Sequence, residues 1–272
     1  MPDQLALDPY AMWEHALAEV DRIFAPPPAL DRPVEGCTFC TPEPELRILG
    51  GDPSAVPEDL LGHFLREVVD HWSTDQYPVL WRRLLPRALR HWGPGGPGTD
   101  PSGELDRLGP HGARLIDWPV CERTAVERAF RALLAIAVTD GRSPGEITDL
   151  VEGIAGATDG LGPWLEYMAG LPGPEADAGL VRLAAHWATE LLWEDFRFWW
   201  YEGDPQAVAD WLVTQRDRIA AFAARHPRCK NAADALTAIG HLRTGAESPW
   251  LYPHNGASRP PLQVGAPPQV GA

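Results

Sequence analysis

Seven prolines of this chain, Pro9, Pro57, Pro119, Pro144, Pro163, Pro174 and Pro205, each stand immediately before a run with helical apolar spacing. Proline is tolerated at the first helical position, where its missing N–H would have had no partner anyway. Asp8, Ser143 and Asp204 precede three of them, and their side-chain oxygens suit the open N–H groups of a helix start. Ser143 also has Glu146 three residues later, the spacing of a capping box. The chain has 29 prolines, which would argue against helix if scattered through one, but these seven mark where helices begin.

The apolar residues agree with those starts. Trp13, Ala16, Leu17, Val20, Ile23 and Phe24 follow the spacing of an amphipathic helix, as do Leu61, Phe64, Leu65, Val68 and Trp72. Val126, Ala129, Phe130, Leu133, Leu134 and Ala137 form a third stripe. Val208, Trp211, Leu212, Gln215, Ile219 and Phe222 form a fourth. Shorter or weaker helices fit 42–49, 78–92, 144–157, 163–169, 178–201 and 230–243, and no segment alternates as a strand would. The expected fold is all-α, with about ten helices in antiparallel pairs, as a HEAT-like array or an irregular bundle. Residues 1–243 read as a single helical domain with a flexible connector at 93–113, because eight of the eleven residues in 93–103 are Gly or Pro. Residues 244–272 read as a disordered Pro/Gly-rich tail, with too little apolar surface to offset the entropy of ordering it.

Charge removes several functions. The chain has 23 basic and 38 acidic residues, a net charge of −15, and Lys230 is its single lysine. Phosphate backbones and anionic membrane surfaces select for a surplus of Lys and Arg, so neither nucleic acid nor membrane is an expected partner. No stretch approaches 18 uninterrupted apolar residues, and the first residues lack the basic start and apolar run of a secretion signal. A cytoplasmic protein is the expectation.

Two catalytic patterns fail on context. Gly93, Gly95 and Gly98 match the dinucleotide-binding glycine pattern, but no strand precedes them, and Pro94 and Pro97 delete two N–H donors. Gly141, Ser143 and Gly145 match the nucleophile elbow, yet Pro144 lacks the N–H that an oxyanion hole needs there. With no set of nucleophile, base and oxyanion donor, the reading leans away from an enzyme.

Two constellations remain. Cys37-Thr38-Phe39-Cys40 offers two thiols at the spacing of half a tetrahedral zinc site, with Cys121, Cys229 or a histidine needed to complete it. Thr41 and Pro42 read as the start of a short helix, whose partial positive charge would favour a Cys40 thiolate and, as an alternative to zinc, thiol redox chemistry. His186, Glu190 and Glu194 share one helix face, more in keeping with a solvated stripe than with a metal site. Among 12 tryptophans, Trp187, Trp193, Trp199 and Trp200 crowd one segment with Phe196, Phe198 and Tyr201. Trp193, Trp199, Trp200 and Tyr201 are the expected anchors for a protein or peptide partner, of basic character given the acidic chain. A scaffold role is therefore the first functional expectation, and a metal-binding or redox protein built on Cys37 and Cys40 is the alternative.

From Gly36 to about Leu134 a series of short motifs recurs in order: Cys37 and Cys40, Glu58-Asp59-Leu60-Leu61, Asp70-His71-Trp72, Leu85-Pro86-Arg87-Ala88-Leu89, Trp118-Pro119 and Glu127-Arg128-Ala129-Phe130. In these the chain resembles a group of uncharacterised bacterial helical proteins with an N-terminal C-x-x-C-type pair and a Leu-Pro-Arg helix. It departs from their acidic residues and Phe in having Leu80-Trp81-Arg82-Arg83-Leu84. The resemblance implies an all-helical fold and no particular activity.

Overall fold

The computed structural model describes residues 8–98, 101–158, 160–193, 196, 198 and 205–244. Among them are eleven α-helices and no strand, so the fold is all-α; the sole extended pairing is an isolated bridge between Gly36 and Trp72. Among the described residues no helix is long and apolar enough to cross a membrane. The chain divides into two compact units, Met1–Ile136 with Thr148–Trp164, and Ala137–Ile147 with Leu165–Ala272.

The first unit carries α1 (Pro9–Ile23), α2 (Glu43–Gly50), α3 (Glu58–Arg66), α4 (Tyr77–Trp92), α5 (Pro101–Asp106) and most of α6 (Val120–Thr139) and α7 (Pro144–Thr158). The Asp8 carboxylate caps α1 by accepting the Ala11 N–H at 3.3 Å, and Trp13, Ala16, Leu17 and Val20 are its buried face. Aromatic rings fill the middle of this unit. Phe64 stands 5.2 Å from Trp72 and 5.3 Å from Trp81, which stacks on Trp92 at 6.2 Å. Such edge and offset contacts add to the burial of large rings.

Two sequence expectations change here. The stripe that ran through Val68 to Trp72 as helix breaks at Arg66, and Glu67 turns extended (φ −66°, ψ 146°). A short 3-10 turn, Val69–His71, follows; Val68 is exposed while Trp72 is buried. Apolar spacing alone did not register that the chain leaves the helix axis and brings Trp72 back onto Phe64. The second change lies within the expected connector, where Pro101–Asp106 is helical and buries Ser102, Glu104 and Leu105. The Trp92 indole N–H donates to Glu104 Oε2 at 2.7 Å, and Arg66 reaches Oε1 at 3.4 Å. A buried carboxylate with a donor on each oxygen anchors a segment whose composition reads as loop.

The second unit carries α9 (Pro174–Trp193), α10 (Pro205–Arg225) and α11 (Lys230–Thr244), which pack on one another; α8 (Gly162–Ala169) is divided between the units. All six residues of the fourth stripe are buried on α10. Ala232, Ala235 and Ala238 line the buried face of α11, where small side chains permit close helix approach. The Trp211 indole N–H finds the Leu165 carbonyl at 2.8 Å, so the ring is buried without an orphaned donor. The capping box forms as spaced: the Ser143 N–H donates to Glu146 Oε2 at 2.9 Å, and the Glu146 N–H to Ser143 Oγ at 3.2 Å. This accounts for Ser143 as a helix cap.

Candidate metal centre

The first unit brings two distant segments together before α2 and after α3. The Cys37 N–H donates to the His71 carbonyl at 2.7 Å, and the Ser73 N–H to the Glu35 carbonyl at 3.2 Å. Gly36 makes this approach feasible, because a Cβ there would lie 3.2 Å from both the His71 oxygen and the Trp72 ring. The buried Gln76 side chain locks the pairing, accepting the Glu35 N–H at 2.8 Å and donating to the Pro33 carbonyl at 2.9 Å. On the outside, the Arg32 guanidinium spans Asp75 at 2.7 Å and Glu35 at 3.1 Å.

Beyond Cys37 the chain turns sharply. The Cys40 and Thr41 N–H groups both donate back to the Cys37 carbonyl, at 3.2 and 2.8 Å. This folds the C-x-x-C segment so that Cys37, Cys40 and His71 each place one ligand atom within 4.8 Å of the others, all three partly exposed. A tetrahedral ion with bonds of about 2.3 Å to sulfur sets sulfurs about 3.8 Å apart, a separation comparable with the 4.8 Å that bounds these atoms.

Behind the cluster lies Glu67. Its Oε1 meets His71 Nδ1 at 2.7 Å and accepts the Val68 N–H at 3.0 Å, while Oε2 lies 3.3 Å from His63 Nε2. His63 Nε2 also lies 3.2 Å from the buried Thr41 hydroxyl. A carboxylate on Nδ1 fixes the tautomer that leaves Nε2 with a free lone pair, the arrangement that orients histidines toward metals.

The two thiols differ, and in the opposite sense to the sequence expectation. N–H groups of Cys40 and Phe39 point at the Cys37 sulfur and hold its pKa below the ordinary thiol value. Partial burial and the neighbouring Cys37 thiol push the Cys40 pKa up. The helix that was to favour a Cys40 thiolate begins only at Glu43, with Pro42 at its cap and no side-chain cap bond.

Trp193 ends α9 and is half-exposed, whereas Trp187 and Phe196 are core, with Trp187 packed 5.6 Å from Trp211. Trp199, Trp200 and Tyr201 lie outside the described residues, as do Glu194 and 245–272. His186 pairs with Glu190 at 3.3 Å. Cys121 and Cys229 are free thiols that do not join Cys37 and Cys40; His71 does. Sequence reasoning missed His71 and Glu67 as site residues, although His63, Glu67 and His71 recur every four residues. Comparison of the chain with family models, curated proteins and solved structures finds no match.

Proposed function

We propose that this chain is a metal-binding helical protein in which Cys37, Cys40 and His71 hold a zinc-class divalent ion. One observation carries the reading: three soft or borderline ligands from segments more than thirty residues apart converge, with the histidine already held by a carboxylate. Two sulfurs and an imidazole favour zinc over calcium or magnesium, which take oxygen ligands. Glu67 supports the site from behind, since a fixed Nδ1–H leaves Nε2 as the ligand atom. This reading takes precedence over partner docking at the aromatic segment, for which the described residues supply one half-exposed ring, Trp193.

Metal content measured on purified protein, after zinc loading and desalting, tests it. About one equivalent is expected in the wild type and in Cys121→Ser, and strong loss in Cys37→Ser and His71→Ala. Metal-free wild type, or full retention in both site variants, overturns the reading.

A further inference from the structure

Cys37 and Cys40 are the two ends of one tight turn, in which the Cys40 N–H donates to the Cys37 carbonyl at 3.2 Å. A turn closed over three residues keeps its end Cα atoms within about 7 Å. Disulfides bridge Cα separations of about 4.4–6.8 Å, so this turn is of a size that one can close. The two sulfurs lie within 4.8 Å of each other, and both thiols are free. Both residues are partly exposed, so a dissolved reagent reaches them.

The rest of the site is built independently of the sulfurs. Glu67 holds His71 Nδ1 at 2.7 Å, and Gln76 holds the Glu35 N–H and the Pro33 carbonyl. Thr38 and Phe39, the residues between the thiols, are exposed, Phe39 at 94%, so the turn can tighten without disturbing the core. Among the described residues no fourth Cys, His, Asp or Glu joins the group, so none stands ready to replace the sulfurs. Zinc sites rest on three or four protein ligands, and His71 alone falls short of that.

We propose that this centre is redox-gated: a small-molecule disulfide oxidises Cys37 and Cys40 to one intramolecular disulfide and so expels the ion. The inference rests on the metal reading. One cysteine thiolate attacks the reagent, whose S–S bond breaks, and a first small thiolate leaves. The other cysteine thiolate attacks the mixed disulfide, forms the Cys37–Cys40 bond and releases the second small thiolate. Two electrons pass from the cysteine pair to the reagent, the leaving thiolates take protons from solvent, and the metal departs as the unchanged divalent ion. The second attack is intramolecular within one turn, which favours it over capture of a second reagent molecule.

The test uses zinc-loaded full-length protein carrying Cys121→Ser and Cys229→Ser, which removes the two thiols outside the site. It is treated with oxidised glutathione beside a chromogenic zinc chelator too weak to strip the reduced protein. About one zinc is expected to appear for every two thiols lost, with peptide mass spectrometry showing Cys37 linked to Cys40. Dithiothreitol followed by zinc should restore the full metal content. With Cys40→Ser added, the reaction should stop at a glutathione adduct on Cys37. Zinc retained under oxidant, thiols lost without zinc release, or a lasting adduct on Cys37 or Cys40 of the parent protein overturns the inference and leaves the metal reading standing. So does metal content that reduction fails to restore, or a Cys40→Ser variant without adduct. Protein that binds no zinc before the oxidant is added overturns the metal reading, and this inference with it.

Discussion

The three helices α9 to α11 and the segment 32–76 differ in how much polar groups add to apolar burial. In α9, the side chains of Ala176, Leu180, Val181, Leu183, Ala184, Trp187, Ala188 and Leu191 are buried in one continuous apolar face. The segment 32–76 buries Leu49, Leu61, Phe64 and Trp72 and adds to them a set of converging polar groups. Arg32 bridges Glu35 and Asp75, Gln76 spans two backbone groups, and Glu67 draws His63 and His71 toward each other. Apolar burial is non-directional and tolerates small shifts, whereas a hydrogen-bonded network fails when one member is removed and its partners are left buried. The directional region is thus the one suited to hold ligand atoms at fixed separations.

Substitutions can separate the two modes. The largest effect is expected from Trp187→Ala, which empties a fully buried indole packed on Trp211 and Phe196. It should lower stability by about 3–5 kcal/mol in denaturant unfolding, with metal content per folded molecule unchanged. A cost under about 1 kcal/mol, or lost metal in the folded fraction, would break the contrast.

Next comes Gln76→Ala, which removes the partner of the Glu35 N–H and the Pro33 carbonyl beside Cys37. Urea unfolding should register about 1–3 kcal/mol for the two groups left without partners. The same variant should raise hydrogen exchange over 33–37 while leaving α9 to α11 protected; uniform exchange across both regions would contradict it.

Glu67→Gln keeps the shape and removes the charge that holds His71. Competition with a zinc chelator should show an affinity lower by about ten- to a hundredfold. An unchanged affinity would remove the carboxylate from the account.

The smallest effect concerns pH. Burial pushes the Asp177 carboxyl up, but hydrogen bonds from Arg218 and Arg225 outweigh it and hold its pKa below the ordinary value. A carboxylate depressed in the folded state stabilises above its unfolded pKa, and that contribution fades as pH falls through the folded value. Melting temperatures followed from about pH 7 to about pH 3 should therefore converge for wild type and Asp177→Asn at the acid end. A constant gap over that range would contradict the sign.

The same contrast decides what the amino-acid sequence reveals. Helix starts at Pro9, Pro144, Pro174 and Pro205 and the whole buried stripe of α10 follow from spacing, because each rests on neighbours within a few turns. Cys37 and Cys40 are legible for the same reason. His71 is not, since its approach depends on α3 ending at Arg66 and on a bridge between Gly36 and Trp72, which no local pattern encodes. The α5 helix escapes notice likewise, its order coming from Glu104 buried against Trp92.

In the proposed site Cys37, Cys40 and His71 hold one metal ion. X-ray absorption at the zinc edge of the zinc-loaded protein tests it most directly. Two sulfur neighbours are expected at about 2.3 Å and two nitrogen or oxygen neighbours at about 2.0–2.1 Å, one with the outer-shell scattering of an imidazole. His71→Ala should lose that imidazole signal. A zinc shell without sulfur, or an imidazole signal that survives His71→Ala, would contradict it.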